Sequence, residues 1–405
     1  MLKRKAYKFK LKTNAEIEKQ LTRFSGCSRF VWNKALALNL KRLAEKQPLM
    51  WYHELAFWLT FWKKTEDLGF LKECHSQILQ QTLKHLDRAF KDAFDVKQPN
   101  KRMPRFKRKF CSDSFHYPQG FKLENRRVFL PKIGWIGFYK SQAIEGTLKN
   151  LTVKRQADGW YFSVQTEIEI EKPNASSESV IGIDVGITRF ATLSNGEYIK
   201  PLNPLKKDLL ALAHAQKKLA RQEKKSNNWK KQKRWIQKIH KKISNSRHDF
   251  LHKTSTQLSK NHAVVFVEEL SIGSMSKSAK GTSKASGKNV RMKRYLNRSI
   301  LDQGWGLFKS QLAYKLNWLG GEIRAVNPRY TSLRCPKCQR IDKGNRKSQR
   351  EFHCLHCSYE NHANLVGAMN ILAAGLAVLA CEANSTRSRQ QEPVGNRKKV
   401  LSCST

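Results

Sequence analysis

Residues 180–195 read VIGIDVGITRFATLSN, an apolar strand, a glycine turn and a second strand, with Asp184 where the backbone leaves the sheet. A carboxylate in the middle of a buried β-branched run costs several kcal/mol unless a cation or hydrogen bonds compensate. Asp184 is therefore read as a ligand, in preference to a turn aspartate beside Gly186. A nucleotide phosphate loop is the sharper rival, but it needs a second phosphate hairpin. The one later candidate, Asp302-Gln-Gly-Trp-Gly306, lies in a helical pattern (Ile300 to Leu319) with no apolar strand before it.

Downstream, residues 205–260 carry 17 Lys/Arg against 3 acids, with apolar residues at helical spacing (Trp235, Ile239, Ile243; Leu251, Leu258). That spacing predicts a helical hairpin with one face on the sheet and one basic face toward solvent. His262 to Leu270, HAVVFVEEL, is a second buried strand, ending on Glu268 and Glu269. Gly273 to Lys293 is rich in Gly, Ser and Lys and reads as a mobile loop. A helix over Ser299–Leu319 and a strand over Glu322–Val326 complete a β-α-β alternation.

Upstream, residues 2–12, LKRKAYKFKLK, alternate cations with apolar residues as an exposed basic strand would. From Asn14 the pattern turns helical, and it is helical again over Ser76–Val96. Trp51, Trp58, Phe61 and Trp62 lie between and are expected to pack between helices. The run KQPNKRMPRFKRKF, residues 97–110, cannot be a helix interior. Phe106 and Phe110, interleaved with cations, make Arg105, Lys107, Arg108 and Lys109 candidate nucleic-acid contacts. Short strands follow to Glu171, so a basic β-barrel carrying the helices as an insert fits, with Lys172–Ser179 as a linker.

The balance of 78 Lys+Arg against 32 Asp+Glu, net +46, repels itself unless a polyanion is present. Nucleic acid is the expected partner. Basic residues run the whole length instead of lining one amphipathic helix, which argues against a membrane surface. No apolar h-region follows the basic start, and the longest apolar run, Ile371–Ala380, is too short to span a bilayer. The expected location is the cytosol.

Cys335-Pro-Lys-Cys338 and Cys354-Leu-His-Cys357 are separated by 15 residues, the spacing of a four-cysteine zinc site. The nine cysteines suit a reducing compartment and such a site better than a disulfide frame. Zinc here would be structural, stapling a short knuckle that carries Arg340, Lys343, Arg346, Lys347 and Arg350.

Several stretches resemble the TnpB family of bacterial insertion sequences, related to compact type V CRISPR effectors: FSGCSRFVWNKALAL, IGIDVGITRFATLSNG, VFVEELSIGSM, NPRYTSLRCPKC and NRKSQREFHCLHC among them. The resemblance reaches to about Glu382. It implies an α+β multi-domain chain. A wedge-like β-barrel (1–13 and 97–172) would carry a helical recognition domain (14–96). An RNase H-like (RuvC) domain (180–330 and 359–380) would be interrupted by a zinc ribbon (331–358), before a disordered tail (381–405). It also implies a guide RNA, a double-stranded DNA target beside a short adjacent motif, a role in transposition and DNA recombination, and a bacterial, nucleoid-associated location.

By the same resemblance Asp184 and Glu268 are the first two RuvC acids, which hold magnesium. The third is an aspartate in the family pattern Asn-Ala-Asp-Leu-Val-Gly-Ala, whereas this chain has His362-Ala-Asn364-Leu-Val-Gly-Ala. Ser358 stands in place of the usual glycine after the last zinc cysteine, and Leu333 in place of a usual glutamine. An amide oxygen can coordinate magnesium but brings no charge, and magnesium favours anionic ligands when it must surrender water. The reading expected is therefore an RNA-guided DNA-binding protein with cleavage impaired or lost. The alternatives are an active RNA-guided endonuclease, in which Asn364 is tolerated or Glu360 fills the position, and a zinc-ribbon DNA-binding protein without RNA.

Overall fold

In the computed structural model the chain divides into two compact units, Met1–Glu171 and Lys172–Thr405. Residues 1–391 are described except 110, 112, 172, 174–177 and 283–284, and of 383–391 the backbone alone. Phe110, most of the expected linker and the tail after Gln391 lie outside the described residues.

The first unit is a helical insert on a rolled antiparallel sheet. Strand β1 (Leu2–Leu11) turns Tyr7, Phe9 and Leu11 inward, fully buried, and its cations outward. It is not the exposed strand expected, because it pairs with β7 along nearly its whole length and with β5 at its end. Helices α1 (Ala15–Ala44), α2 (Tyr52–Lys64) and α3 (Ser76–Phe94) follow before β2 (Ser114–Tyr117), so the helices interrupt the sheet after its first strand. Asn14 caps α1 by accepting the Ile17 N–H at 2.8 Å. Leu21, Phe24 and Val31 of α1 meet Ile78, Leu83 and Leu86 of α3 in one buried cluster. The tryptophan-rich stretch is itself a helix, α2, and its aromatics divide: Trp62 is buried with Leu55 and Leu59, while Phe57 and Phe61 are exposed.

The remaining strands are β3 (Lys122–Glu124), β4 (Arg127–Leu130), β5 (Gly134–Tyr139), β6 (Thr147–Gln156) and β7 (Gly159–Glu169). Seven strands lie in the order β2-β6-β7-β1-β5-β4-β3, with β2 and β3 as edges among the described residues. Among the described residues the hydrogen-bond ladder is open between β2 and β3, so the β-barrel expected is a partial one. The roll still brings its ends together, since Tyr117 Oη on β2 donates to Pro131 O, just past β4, at 3.1 Å. The helices pack on the buried face of the roll: Phe24 of α1 lies edge-on against Phe115 of β2, ring centres 5.9 Å apart.

The second unit has a five-stranded sheet in the order β10-β9-β8-β11-β12. Strands β8 (Val180–Val185), β11 (Val264–Glu268) and β12 (Glu322–Val326) run parallel; β9 (Ala191–Leu193) and β10 (Tyr198–Ile199) return antiparallel. Between β10 and β11 stand α4 (Pro204–Lys207), α5 (Leu209–Ala220) and the long α6 (Asn227–Asn261). Between β11 and β12 come α7 (Ile272–Met275), α8 (Val290–Gln303) and α9 (Trp305–Trp318). The single helix expected over Ser299–Leu319 is thus two. Gly304, at φ +72°, breaks it where a side chain would meet Arg247 and Leu251 of α6. Asp302, in the motif weighed as a phosphate loop, is buried and accepts from Arg247 and from the Leu205 N–H, tying α8 to α6 and α4. α8 also starts inside the stretch expected to be a mobile loop, and Gly281 bridges to Ser286.

The zinc-spaced segment follows β12. Its strands β13 (Glu351–His353) and β14 (Glu360–His362) pair, and β14 runs directly into α10 (Ala363–Gln391). The ribbon therefore extends past the boundary at 358, and α10 continues past residue 381, where a tail was expected. α10 is, among the described residues, the helix long and apolar enough to cross a membrane. Its Ala368 and Ile371 are instead buried against the sheet, and its Val366 is buried against the cysteine segment with Cys335, Phe352 and Cys354. Gly182 of β8 permits this approach: a Cβ there would lie 2.4 Å from Ala368 O.

Candidate functional site

Two sites are built at the end of this sheet, one from a local turn pair and one from strands far apart in sequence. In the first, Cys335 and Cys338, and Cys354 and Cys357, each sit in a tight turn. The Gln339 N–H donates to Cys335 O at 2.9 Å and the Ser358 N–H to Cys354 O at 3.0 Å. Both turns end in a left-handed residue, Gln339 at φ 62° and Ser358 at φ 55°. This is why a glycine is usual at position 358, and the side chain there is carried at a steric cost of roughly 1–2 kcal/mol. The turns bring all four Sγ atoms within 4.8 Å of one another. Cys335 and Cys357 are 3.6 Å apart and Cys338 and Cys354 3.5 Å. A zinc–sulfur bond of about 2.3 Å makes the edge of a sulfur tetrahedron about 3.8 Å, so four thiolates here fit a closed structural zinc. Asn345, fully buried, locks the knuckle by donating to Leu333 O and accepting from the Leu355 N–H, both at 3.0 Å. Leu333 takes part through its backbone, so a glutamine side chain is not required for that contact.

In the second site, β8 and β11 are parallel neighbours with Ile183 opposite Val267. The next residues on each strand are Asp184 and Glu268, side by side at strand spacing of about 4.8 Å. Burial, and then the neighbouring Glu268 charge, push the Asp184 carboxyl up to about 7, with the Arg346 guanidinium opposing. Glu268 is also raised by burial, opposed by the Thr331 hydroxyl and by Arg346. Two half-buried carboxylates, both raised by desolvation and one of them further by its neighbour's charge, form a site suited to a cation.

Helix α10 supplies the third wall. A Cβ on Gly367 would lie 3.2 Å from Asp184 Oδ2, so this turn of the helix rests against that carboxylate. Asn364, one turn earlier, is buried, and its N–H donates to His362 Nδ1 at 3.2 Å. Glu360 is turned outward, its side chain 71% exposed and its carboxylate 2.6 Å from His353 Nδ1. Glu269 follows the end of β11, its N–H donating to Val326 O at 3.0 Å.

Three residues to which the sequence assigned no part beside the acids complete the surroundings. Thr331 Oγ1 donates to Glu268 Oε1 at 2.6 Å, and Asn370 Nδ2 of α10 holds that turn by donating to Thr331 O at 2.7 Å and Arg334 O at 2.8 Å. Arg346 enters from the zinc knuckle, next to the locked Asn345. Asn370 stood in view at the end of the α10 motif; Thr331 and Arg346 had no signal beyond their proximity to the cysteines.

The candidate nucleic-acid contacts lie in the first unit. Arg105, Lys107, Arg108 and Lys109 are exposed, on a segment pinned to α1. Trp32 Nε1 donates to Arg105 O at 3.0 Å, and the Asn33 side chain bonds both the N–H and the carbonyl of Lys107. The Lys107 ammonium sits 3.6 Å over the Trp32 ring, and desolvation lowers it to about 8.

The chain matches known proteins along its length. The OrfB_IS605 family, "Probable transposase", matches residues 163–279; the "Cas12f1-like, TNB domain" matches 305–371; and a "Helix-turn-helix domain" of the same OrfB_IS605 group matches 1–48. "Putative RNA-guided DNA endonuclease InsQ" of Escherichia coli is 46% identical over 97% of this chain and 98% of its own length. A "Putative RNA-guided DNA endonuclease" of Streptomyces pristinaespiralis is 33% identical over 97% and 94%. The structure of a Cas12f1–sgRNA–target DNA complex matches with a TM-score of 0.52 at 13% identity, covering 91% of this chain and 98% of that one, a likeness of fold.

Proposed function

The chain belongs to the TnpB family, and from that premise we propose that it is an RNA-guided DNA-binding protein whose nuclease centre is impaired in cleavage. The observation that carries this reading is the acid pair Asp184 and Glu268, with an amide, Asn364, on the helix turn beside them. In this reading magnesium bound there would supply Lewis-acid stabilisation of charge at a phosphodiester. Asp184 and Glu268 would hold the cation, Thr331 would fix the Glu268 carboxylate, and Asn364 would offer a neutral oxygen. The donor set suits one divalent ion well and a second one poorly, because a pair of cations about 4 Å apart needs more anionic charge than two carboxylates bring.

The active-nuclease alternative draws support from the relatives, which are named as RNA-guided DNA endonucleases. Its route through Glu360 is weakened by the bond to His353 and the outward side chain. A zinc-ribbon protein without RNA leaves the buried acid pair without a purpose. The partners proposed are a guide RNA and double-stranded DNA, in the bacterial cytoplasm at the nucleoid; the contacts proposed include Arg105, Arg108 and Lys109, with Lys107 partly committed to Trp32.

The test is to sequence RNA that copurifies with the protein and then to present the complex with matching DNA. A defined RNA species and a complex that holds matching DNA while cutting it slowly or not at all is the expected result. A smear of cellular RNA, with no preference for matching DNA, would overturn the guided reading.

A further inference from the structure

A cavity of about 290 Å³ lies in the first unit between α1 and the end of the basic run together with the residues just after it. Its volume is at the lower edge of the roughly 300–1,000 Å³ typical of small-molecule sites, room for one nucleotide and not for a longer piece. On its floor, Ser28 is 4% exposed and its hydroxyl has no hydrogen-bond partner. A buried polar group left unpaired is costly and rare, and it calls for a reason. Ser25, also buried, stands one turn earlier on the same wall.

The charge of the walls selects the ligand. Arg29, Lys107 and Arg108 line the cavity against a single carboxylate, Asp113, which Arg29 Nη1 meets at 3.2 Å. The balance is two positive charges in excess. The Lys107 ammonium has a ring beneath it, and desolvation lowers its proton affinity; an anion in the cavity would reverse that penalty. Phe106 completes the lining and is 53% exposed, an aromatic face open to a flat partner.

We propose that this cavity is a nucleotide site, which takes one phosphate of a nucleic-acid strand on Ser28, Arg29 and Arg108 and the attached base on Phe106. The inference rests on the reading that nucleic acid is the partner, and adds to it a discrete site apart from the acid centre. The phosphate could be the end of a strand or an internal diester; the chemistry is shared and the test separates them.

Full-length protein freed of nucleic acid is melted with and without adenosine monophosphate. It is also titrated with a short labelled single-stranded RNA, with and without a 5′-phosphate. The monophosphate should raise the melting temperature of the wild type. Ser28→Ala deletes a hydroxyl that bonds nothing in the free protein, so it should melt at the same or a higher temperature alone. It should lose the monophosphate shift and bind the RNA about tenfold more weakly. Phe106→Ala should lose the shift with adenosine monophosphate but keep one with inorganic phosphate. Preference for the 5′-phosphorylated RNA assigns a strand end, and equal binding of both assigns an internal diester. A Ser28→Ala protein that melts lower alone and still binds monophosphate and RNA as wild type does would overturn the site. So would a wild type that shows no shift with monophosphate or phosphate, even if it binds RNA. A wild type that binds no RNA at all would overturn the premise.

Discussion

The zinc knuckle and the acid centre both gather groups that, once ionised, repel one another unless a cation joins them, yet they are assembled in opposite ways. Each cysteine pair is set by a turn of a few residues, and only the meeting of the two turns depends on the chain between them. The acids come from Asp184, Glu268 and the start of α10, each separated from the next by more than eighty residues, and they converge through strand register and helix packing. The knuckle keeps its full set of four thiols; the acid centre has two carboxylates and an amide. A local site is lost by changing a ligand, whereas a long-range site can lose one ligand and keep its scaffold.

Removing zinc should have the largest effect, because structural zinc contributes on the order of 10 kcal/mol or more of coupled folding energy. One equivalent should copurify, and Cys335→Ser with Cys338→Ser should unfold the knuckle and loosen α10. Elemental analysis that finds no metal in protein prepared without chelators, or a double variant with unchanged melting, would erase the contrast.

The acid centre should show its strain as pH dependence. Asp184 binds its proton more tightly when folded, at about 7, than when unfolded, near 3.8. Stability without divalent cations should therefore be greatest below the ordinary value and fall as pH rises through the window from about 4 to about 7, by up to about 4 kcal/mol. The raised Glu268 adds in the same direction. Denaturant midpoints across that range should flatten in Asp184→Asn; a wild-type profile that rises instead would mean the acids are compensated by some other group.

Restoring the missing charge comes next. Asn364→Asp should increase magnesium-dependent cutting of matching DNA by at least about a hundredfold, the effect of roughly 3 kcal/mol in the transition state. Guide-loaded wild type, Asn364→Asp and Asp184→Ala are compared on one gel, with magnesium and with chelator. Strong cutting by wild type that vanishes in Asp184→Ala would sink the impaired reading.

The smallest effect belongs to the knuckle again. Ser358 holds a left-handed backbone at φ 55°, so Ser358→Gly should stabilise the zinc-loaded protein by about 1 kcal/mol. A lower melting temperature would show that the side chain makes a contact worth more than the strain.

Much of the second unit was legible because its signals are local. An apolar run ending in an acid marks a buried strand, and it placed both Asp184 and Glu268 at strand ends, where β8 and β11 put them. The Cys-x-x-Cys turns are fixed by their own hydrogen bonds. Less was legible where packing decides the outcome. The break at Gly304 depends on how closely α8 and α9 approach α6, and a glycine within a helical period does not reveal its neighbour. Thr331 and Arg346 were hidden because nothing in their own stretch says that the knuckle folds back onto Glu268.

By itself, then, the sequence determined which strands are buried and which cysteines form a set, and its charge raised the expectation of a polyanion. Those properties follow from composition and short periods along the chain. Tertiary structure alone decided that Asp184 and Glu268 become neighbours, so that burial raises both and the Glu268 charge raises Asp184 further, that Glu360 faces His353, and that Lys107 lies over Trp32. The reason is physical: a carboxylate's charge state and a cation's partner depend on what burial and distance place within a few ångströms, and residues so close in space can be far apart along the chain.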